Sequence, residues 1–105
     1  MDRHQQIEAF LSAAHRLAVR RLRTQPERRD EVRAVIARWR ERRGPSRSDA
    51  YLDEWERLLS LPIDELEQAV CAASDHAAAL RSASPIAPLI TAEERAVLLR
   101  EARAA

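Results

Sequence analysis

The sequence predicts an all-α fold: a single-domain bundle of about five short helices, with an N-terminal antiparallel helical hairpin packed on three C-terminal helices. Three observations carry this expectation. Apolar residues recur at helical spacing through one segment after another, and no segment shows the strict alternation of a half-buried strand. Twenty of the 105 residues are Ala, which raises helix propensity but adds little buried area. Leu, Ile, Val and Phe together number 23, just above about one fifth of the chain, so the interior is thin and room for a second core is lacking. The whole chain, 1–105, is therefore read as one helical domain.

The first helix is expected over roughly 3–23, where Ile7, Phe10, Leu11, Ala14, Leu17, Ala18 and Leu22 fall on one stripe. Thr24, Gln25, Pro26 and Glu27 match a capping box with proline at an early helical position, so a second helix should begin near Pro26. It places Val32, Val35, Ile36 and Trp39 on one face and stops at Gly44-Pro45, the only glycine of the chain. So short a connection predicts that the first two helices form an antiparallel hairpin. Ser46 to Asp49 supplies a cap for a third helix whose Tyr51, Leu52, Trp55, Leu58 and Leu59 share a face. Pro62 separates it from a fourth, expected from about Ile63 to Arg81 and burying Leu66, Ala69, Val70, Ala73, Ala77 and Leu80. Ser84 to Pro88 breaks the pattern, and Thr91 to Glu94 is a second capping box opening a last helix with Val97 and Leu98.

Charge is unevenly distributed. Residues 1–47 carry 13 Arg against 6 acidic residues, and 48–105 carry 5 Arg against 11, which conceals two opposite halves inside a net charge of +1. All basic residues are Arg, with no Lys and no Asn. GC-rich coding produces that bias, so abundant Arg is weak grounds for nucleic-acid binding. Arg29, Arg33 and Arg40 fall on one flank of the second helix, and Arg29 and Arg33 are a like-charged i,i+4 pair that needs counter-charge from outside the helix. The acids Asp53, Glu54, Glu56, Glu65 and Glu67 of the third and fourth helices are the expected source, ahead of an acidic partner protein or phosphate.

The second helix, its turn and the third helix have the order of a helix-turn-helix. The would-be recognition helix, however, begins Asp49, Ala50, Tyr51, Leu52, Asp53, Glu54, Trp55, Glu56, and its acids would be repelled by a duplex. Phe10, Trp39, Tyr51 and Trp55 lie on apolar stripes, where core filling is the expected role and none interleaves with Arg on an exposed face. His4, Glu8 and His15 share a flank of the first helix, but His4 and His15 stand about 16 Å apart at the helical rise, too far for one ion. His76 is expected to pack, hydrogen-bonded, at the edge of the fourth helix. Cys71 is expected on the side opposite that helix's apolar stripe, between Glu67 and Asp75, which disfavour its thiolate.

One cysteine precludes an internal disulfide, and no secretory leader, membrane span, zinc spacing or glycine-rich phosphate cradle is visible. No metal or cofactor is expected. A reducing, bacterial-type cytosol is the simplest setting. By elimination the expected role is non-enzymatic: a protein-binding or regulatory module, with Arg29, Arg33, Arg40, Arg43 and Arg47 as the residues that would meet the partner. Nonspecific nucleic-acid binding through the same arginines is the alternative. The small-residue flank Ala69, Ala72, Ala79 offers a surface for close helix association, including a homodimer.

Overall fold

The computed structural model describes residues 2–104. Six α-helices and two 3-10 turns make up the described chain, with no strand among the described residues. They are α1 (Arg3–Thr24), α2 (Arg29–Arg43), α3 (Asp49–Leu58), α4 (Ile63–Cys71), α5 (Asp75–Ser82) and α6 (Ala92–Ala104), with 3-10 turns at Pro26–Arg28 and Ala87–Leu89. The all-α expectation holds, with one helix more than the period of the sequence suggested.

Helix α1 is the spine. Its 22 residues span about 33 Å at the helical rise, close to the 36 Å long dimension of the molecule. A capping box starts it: the Asp2 carboxylate accepts the Gln5 N–H at 2.8 Å, and the Gln5 side chain accepts the Asp2 N–H at 3.1 Å. Phe10, Ala14, Ala18, Val19 and Leu22 are buried along one face, against α4, α5 and α6. Ile7, expected in that stripe, is 49% exposed and lines an open groove with Leu99 and Ala102 of α6. Helix α2 packs instead on α3 and on the Ala87–Leu89 turn. Residues from all six helices meet in one apolar cluster around Trp55, whose indole N–H donates to the Leu80 carbonyl at 3.0 Å.

Two local expectations fail, each for an identifiable reason. The box at Thr24 does not form, because α1 runs through that residue and its hydroxyl donates back to the Arg21 carbonyl at 3.2 Å. A 3-10 turn beginning at Pro26 then leads into α2. The single helix expected from Ile63 to Arg81 is two helices, parted at residues 72–74, so Ala73 is exposed rather than buried. Ala72 is extended (ψ 154°), and the Ser74 hydroxyl caps α5 by accepting the Ala77 N–H at 3.1 Å. The sequence does carry Ser74-Asp75, but an alanine-rich run keeps helical period on either side of a break. The same break divides the Ala69, Ala72, Ala79 flank between two helices and an extended residue, so no continuous small-residue face exists.

Helix ends leave carbonyls without intrahelical partners, and glycine in the left-handed region is the usual remedy. Here only Gly44 has a positive φ among the described residues. Arginine side chains take over the task elsewhere. Arg29 donates to the Leu59 and Leu61 carbonyls past the end of α3 (2.6 and 2.7 Å), and Arg33 to that of Leu59 (2.9 Å). Arg81 reaches back to the Val70 and Ala72 carbonyls at the end of α4, both at 2.8 Å. Arg28 and Arg21 take the Pro88 and Leu89 carbonyls of the 3-10 turn at 3.0 and 2.7 Å. Charged donors make the stronger hydrogen bonds and complement the negative end of each helix, so much of the Arg content is structural.

Candidate functional site

Five arginines of the α2 region were the sequence's candidates, and the fold divides them. Arg29 and Arg33 are turned onto α3's terminal carbonyls, and Arg33 also pairs with Asp30 at 2.9 Å within its own helix. The counter-charge expected for these two from acids of the third and fourth helices is thus supplied mainly by backbone carbonyl dipoles. Arg40 does meet the expected acids: its guanidinium contacts Asp53 at 2.7 Å and Glu56 at 2.9 Å, and hydrogen bonds to both hold its pKa above the usual arginine value.

Arg43 and Arg47 behave differently. The Arg43 guanidinium lies over the Trp39 ring, 4.8 Å from its centroid, and Arg47 sits exposed in the turn after α2. Neither pairs with a carboxylate among the described residues. Arg38 and Arg42, absent from the sequence-based set, share their condition: exposed, with no carboxylate partner. The i,i+4 spacing of Arg38 with Arg42, and of Trp39 with Arg43, was the available signal. Trp39 is half-buried rather than a purely internal residue, and an aromatic ring does interleave with Arg here. A basic end on α2 is the result, partly offset by its own negative C-terminal dipole.

The histidines go to separate tasks. His4 and Glu8 are an exposed pair at 3.4 Å. His15 is 1% exposed, beside Trp55, and its Nδ1 donates to the Leu11 carbonyl at 2.6 Å. Burial, and secondarily the nearby Arg81 charge, lowers its pKa to about 4 against the pull of that hydrogen bond, so it is neutral at pH 7. A carbonyl only accepts, so the proton sits on Nδ1 and Nε2 is a bare acceptor, one that finds no donor among the described residues. His76 is exposed rather than packed, with Nε2 2.8 Å from both Glu54 oxygens. No group of three His, Cys, Asp or Glu with metal-holding geometry occurs among the described residues.

Cys71 is half-buried against the core rather than on an outward side. Burial first, then Glu67, pushes its thiol pKa up, which leaves it a poor nucleophile. No described helix is long and apolar enough to cross a membrane. No family model, no curated protein and no solved structure matches the chain.

Proposed function

We propose that this chain is a non-enzymatic interaction module that docks an acidic segment of a protein partner on the basic end of α2, through Arg38, Arg42, Arg43 and Arg47. One observation carries the reading: the arginines of the α2 region divide by role. Arg29, Arg33 and Arg40 are committed to α3, while those four stand exposed without a carboxylate partner among the described residues. Stacking on Trp39 restrains Arg43 in place, which reduces the side-chain entropy lost when a carboxylate engages it. Arginine also suits a planar, bidentate carboxylate match. Strong nonspecific duplex binding draws on about six to ten phosphate contacts, more than this short end provides.

The test compares the wild-type chain with the triple variant R42E/R43E/R47E in crosslinking capture from a cytosolic extract, after circular dichroism has established equal helicity. The expected result is a protein crosslinked through the α2 end and lost with the variant. Capture of the same proteins by both forms overturns the reading. So does wild-type binding to DNA or RNA that falls steeply with salt and vanishes in the variant, which would move the assignment to nucleic acid.

A further inference from the structure

Helix α6 is the most thinly packed of the six: Ala102 is its only buried residue, and Leu98 and Leu99 are partly covered. It runs antiparallel to α1, with Glu94 held by Arg21 at one end and Arg103 sharing a groove with Arg3 at the other. Near the start of α1 the seam between the two helices stays open, as a groove of about 190 Å³. Ile7, 49% exposed, stands in it beside Leu99, over a floor made by Phe10 and Ala102. A large apolar side chain left exposed among other apolar groups is a mark of a contact surface.

The rim of this groove is basic. Arg3 and Arg103 line it at one end, and at the other Arg95 lies over the Phe10 ring, 5.1 Å from the centroid. Arg95 and Arg103 stand about 12 Å apart along α6 at the helical rise. All three arginines are exposed, and none contacts a carboxylate among the described residues. No acidic side chain lines the groove. Asp2 is engaged in the α1 cap, and Glu8 faces the other flank of α1, toward α5.

Three occupants can be weighed against these features. The volume falls below the roughly 300 Å³ at which small-molecule pockets begin, so the groove suits side chains projected from a partner's surface. A second copy of this chain is disfavoured, because laying the groove on itself in either direction brings arginine to arginine. A membrane surface takes up a protruding apolar stripe, whereas Phe10 and Ala102 are recessed, each 7% exposed. An acidic amphipathic helix meets both demands: its apolar stripe fills the seam and its carboxylates answer the guanidinium groups. We propose that the α1–α6 seam is a docking groove for an acidic amphipathic helix of a protein partner, with apolar side chains over Ile7, Phe10 and Leu99 and carboxylates toward Arg3, Arg95 and Arg103. The seam shares no residue with the basic end of α2 and does not rest on the docking role proposed there.

The probe is the helical peptide acetyl-QAEQALLQALEAQEAA-amide, whose leucines share a face bracketed by glutamates, titrated into 15N-labelled full-length protein. Its twin carries Lys at every Glu. The acidic peptide should shift the amide resonances of Ile7, Leu99 and Ala102 and saturate, and the Lys twin should bind about tenfold more weakly. The double variant Arg3→Glu/Arg103→Glu, at exposed positions and checked for equal helicity, should reverse that preference. Ile7→Ser should weaken both peptides several-fold, while Arg42→Glu should change neither. Unmoved amides at millimolar acidic peptide overturn the groove, as do equal affinities for the two peptides or shifts that map to the α2 end. A wild-type dimer abolished by Ile7→Ser would overturn it in favour of a second copy. Binding of the wild type to phosphatidylglycerol vesicles, lost in Ile7→Ser, would overturn it in favour of a membrane surface.

Discussion

The carboxylate of Glu94 closes the capping box of α6 and at the same time clasps Arg21, 73 residues earlier in the chain, accepting from both Nη1 and Nη2 of its guanidinium. One acidic side chain thus starts the last helix and ties it to the spine. Hydrogen bonds from Arg21 first, and then from Thr91, hold the Glu94 pKa at about 2, below its ordinary value of 4.5. A carboxylate depressed in the folded state stabilises above its unfolded pKa and loses that contribution as pH falls through the folded one. Glu94→Gln should therefore be less stable than wild type at pH 6, with the difference shrinking between pH 4.5 and 2. Urea midpoints across that window check it; a constant gap would remove the ion pair from the account.

The division of the α2 arginines predicts a matching division in stability. Arg29→Met strands the Leu61 carbonyl past the end of α3, at a cost of about 1–2 kcal/mol, whereas Arg33→Met leaves the Leu59 carbonyl still bonded to Arg29 and should cost only about 0.5–1 kcal/mol. Arg43→Met and Arg47→Met touch nothing comparable and should stay within about 0.5 kcal/mol of wild type. Chemical denaturation of the four variants decides. Equal costs at all four positions would mean that the carbonyl contacts add nothing.

His15 gives the chain a second acid sensitivity at a milder pH. Its folded pKa of about 4 lies below the ordinary 6.5, so as pH falls between those values the unfolded chain takes up the proton and the folded one does not. Stability should decline across that interval by about 3 kcal/mol relative to His15→Leu, which has no such proton to bind. The comparison with the variant isolates this group from the carboxylates. A wild-type-minus-variant difference that ignores pH from 6.5 to 4 would count against a buried neutral imidazole.

Gly44 holds φ 63° and ψ −166°, a region that side chains enter only under strain, yet a Cβ there would meet no heavy atom within 4 Å. Gly44→Ala should accordingly lose about 1–3 kcal/mol from backbone strain alone. Thermal melts should show a lower midpoint with unchanged helicity. A neutral outcome would indicate that the α2–α3 turn relaxes to another conformation.

The separation of structural from unpaired arginines was beyond the sequence. Spacing put Arg29, Arg33 and Arg40 on one flank, and it correctly offered Asp53 and Glu56 to Arg40. It had no means of pointing Arg29 at the Leu59 and Leu61 carbonyls, because a backbone acceptor exposed at a helix end carries no residue-type signature. Cys71 was misplaced for a related reason. A helical wheel drawn for one helix cannot know that a neighbouring element covers its far side.

What the sequence determined by itself is the helical class and most of the helix boundaries. Those depend on short-range physics: the period of Phe10, Ala14, Ala18 and Leu22, the Thr91–Glu94 box, and the stop at Gly44. The tertiary structure alone decided that α4 and α5 are separate, with Arg81 satisfying the carbonyls where they part, and that His15 is enclosed while His4 is not. Those outcomes depend on which surfaces meet across long stretches of chain. Burial and the pairing of polar groups are properties of that meeting, so they come into being only when the helices pack.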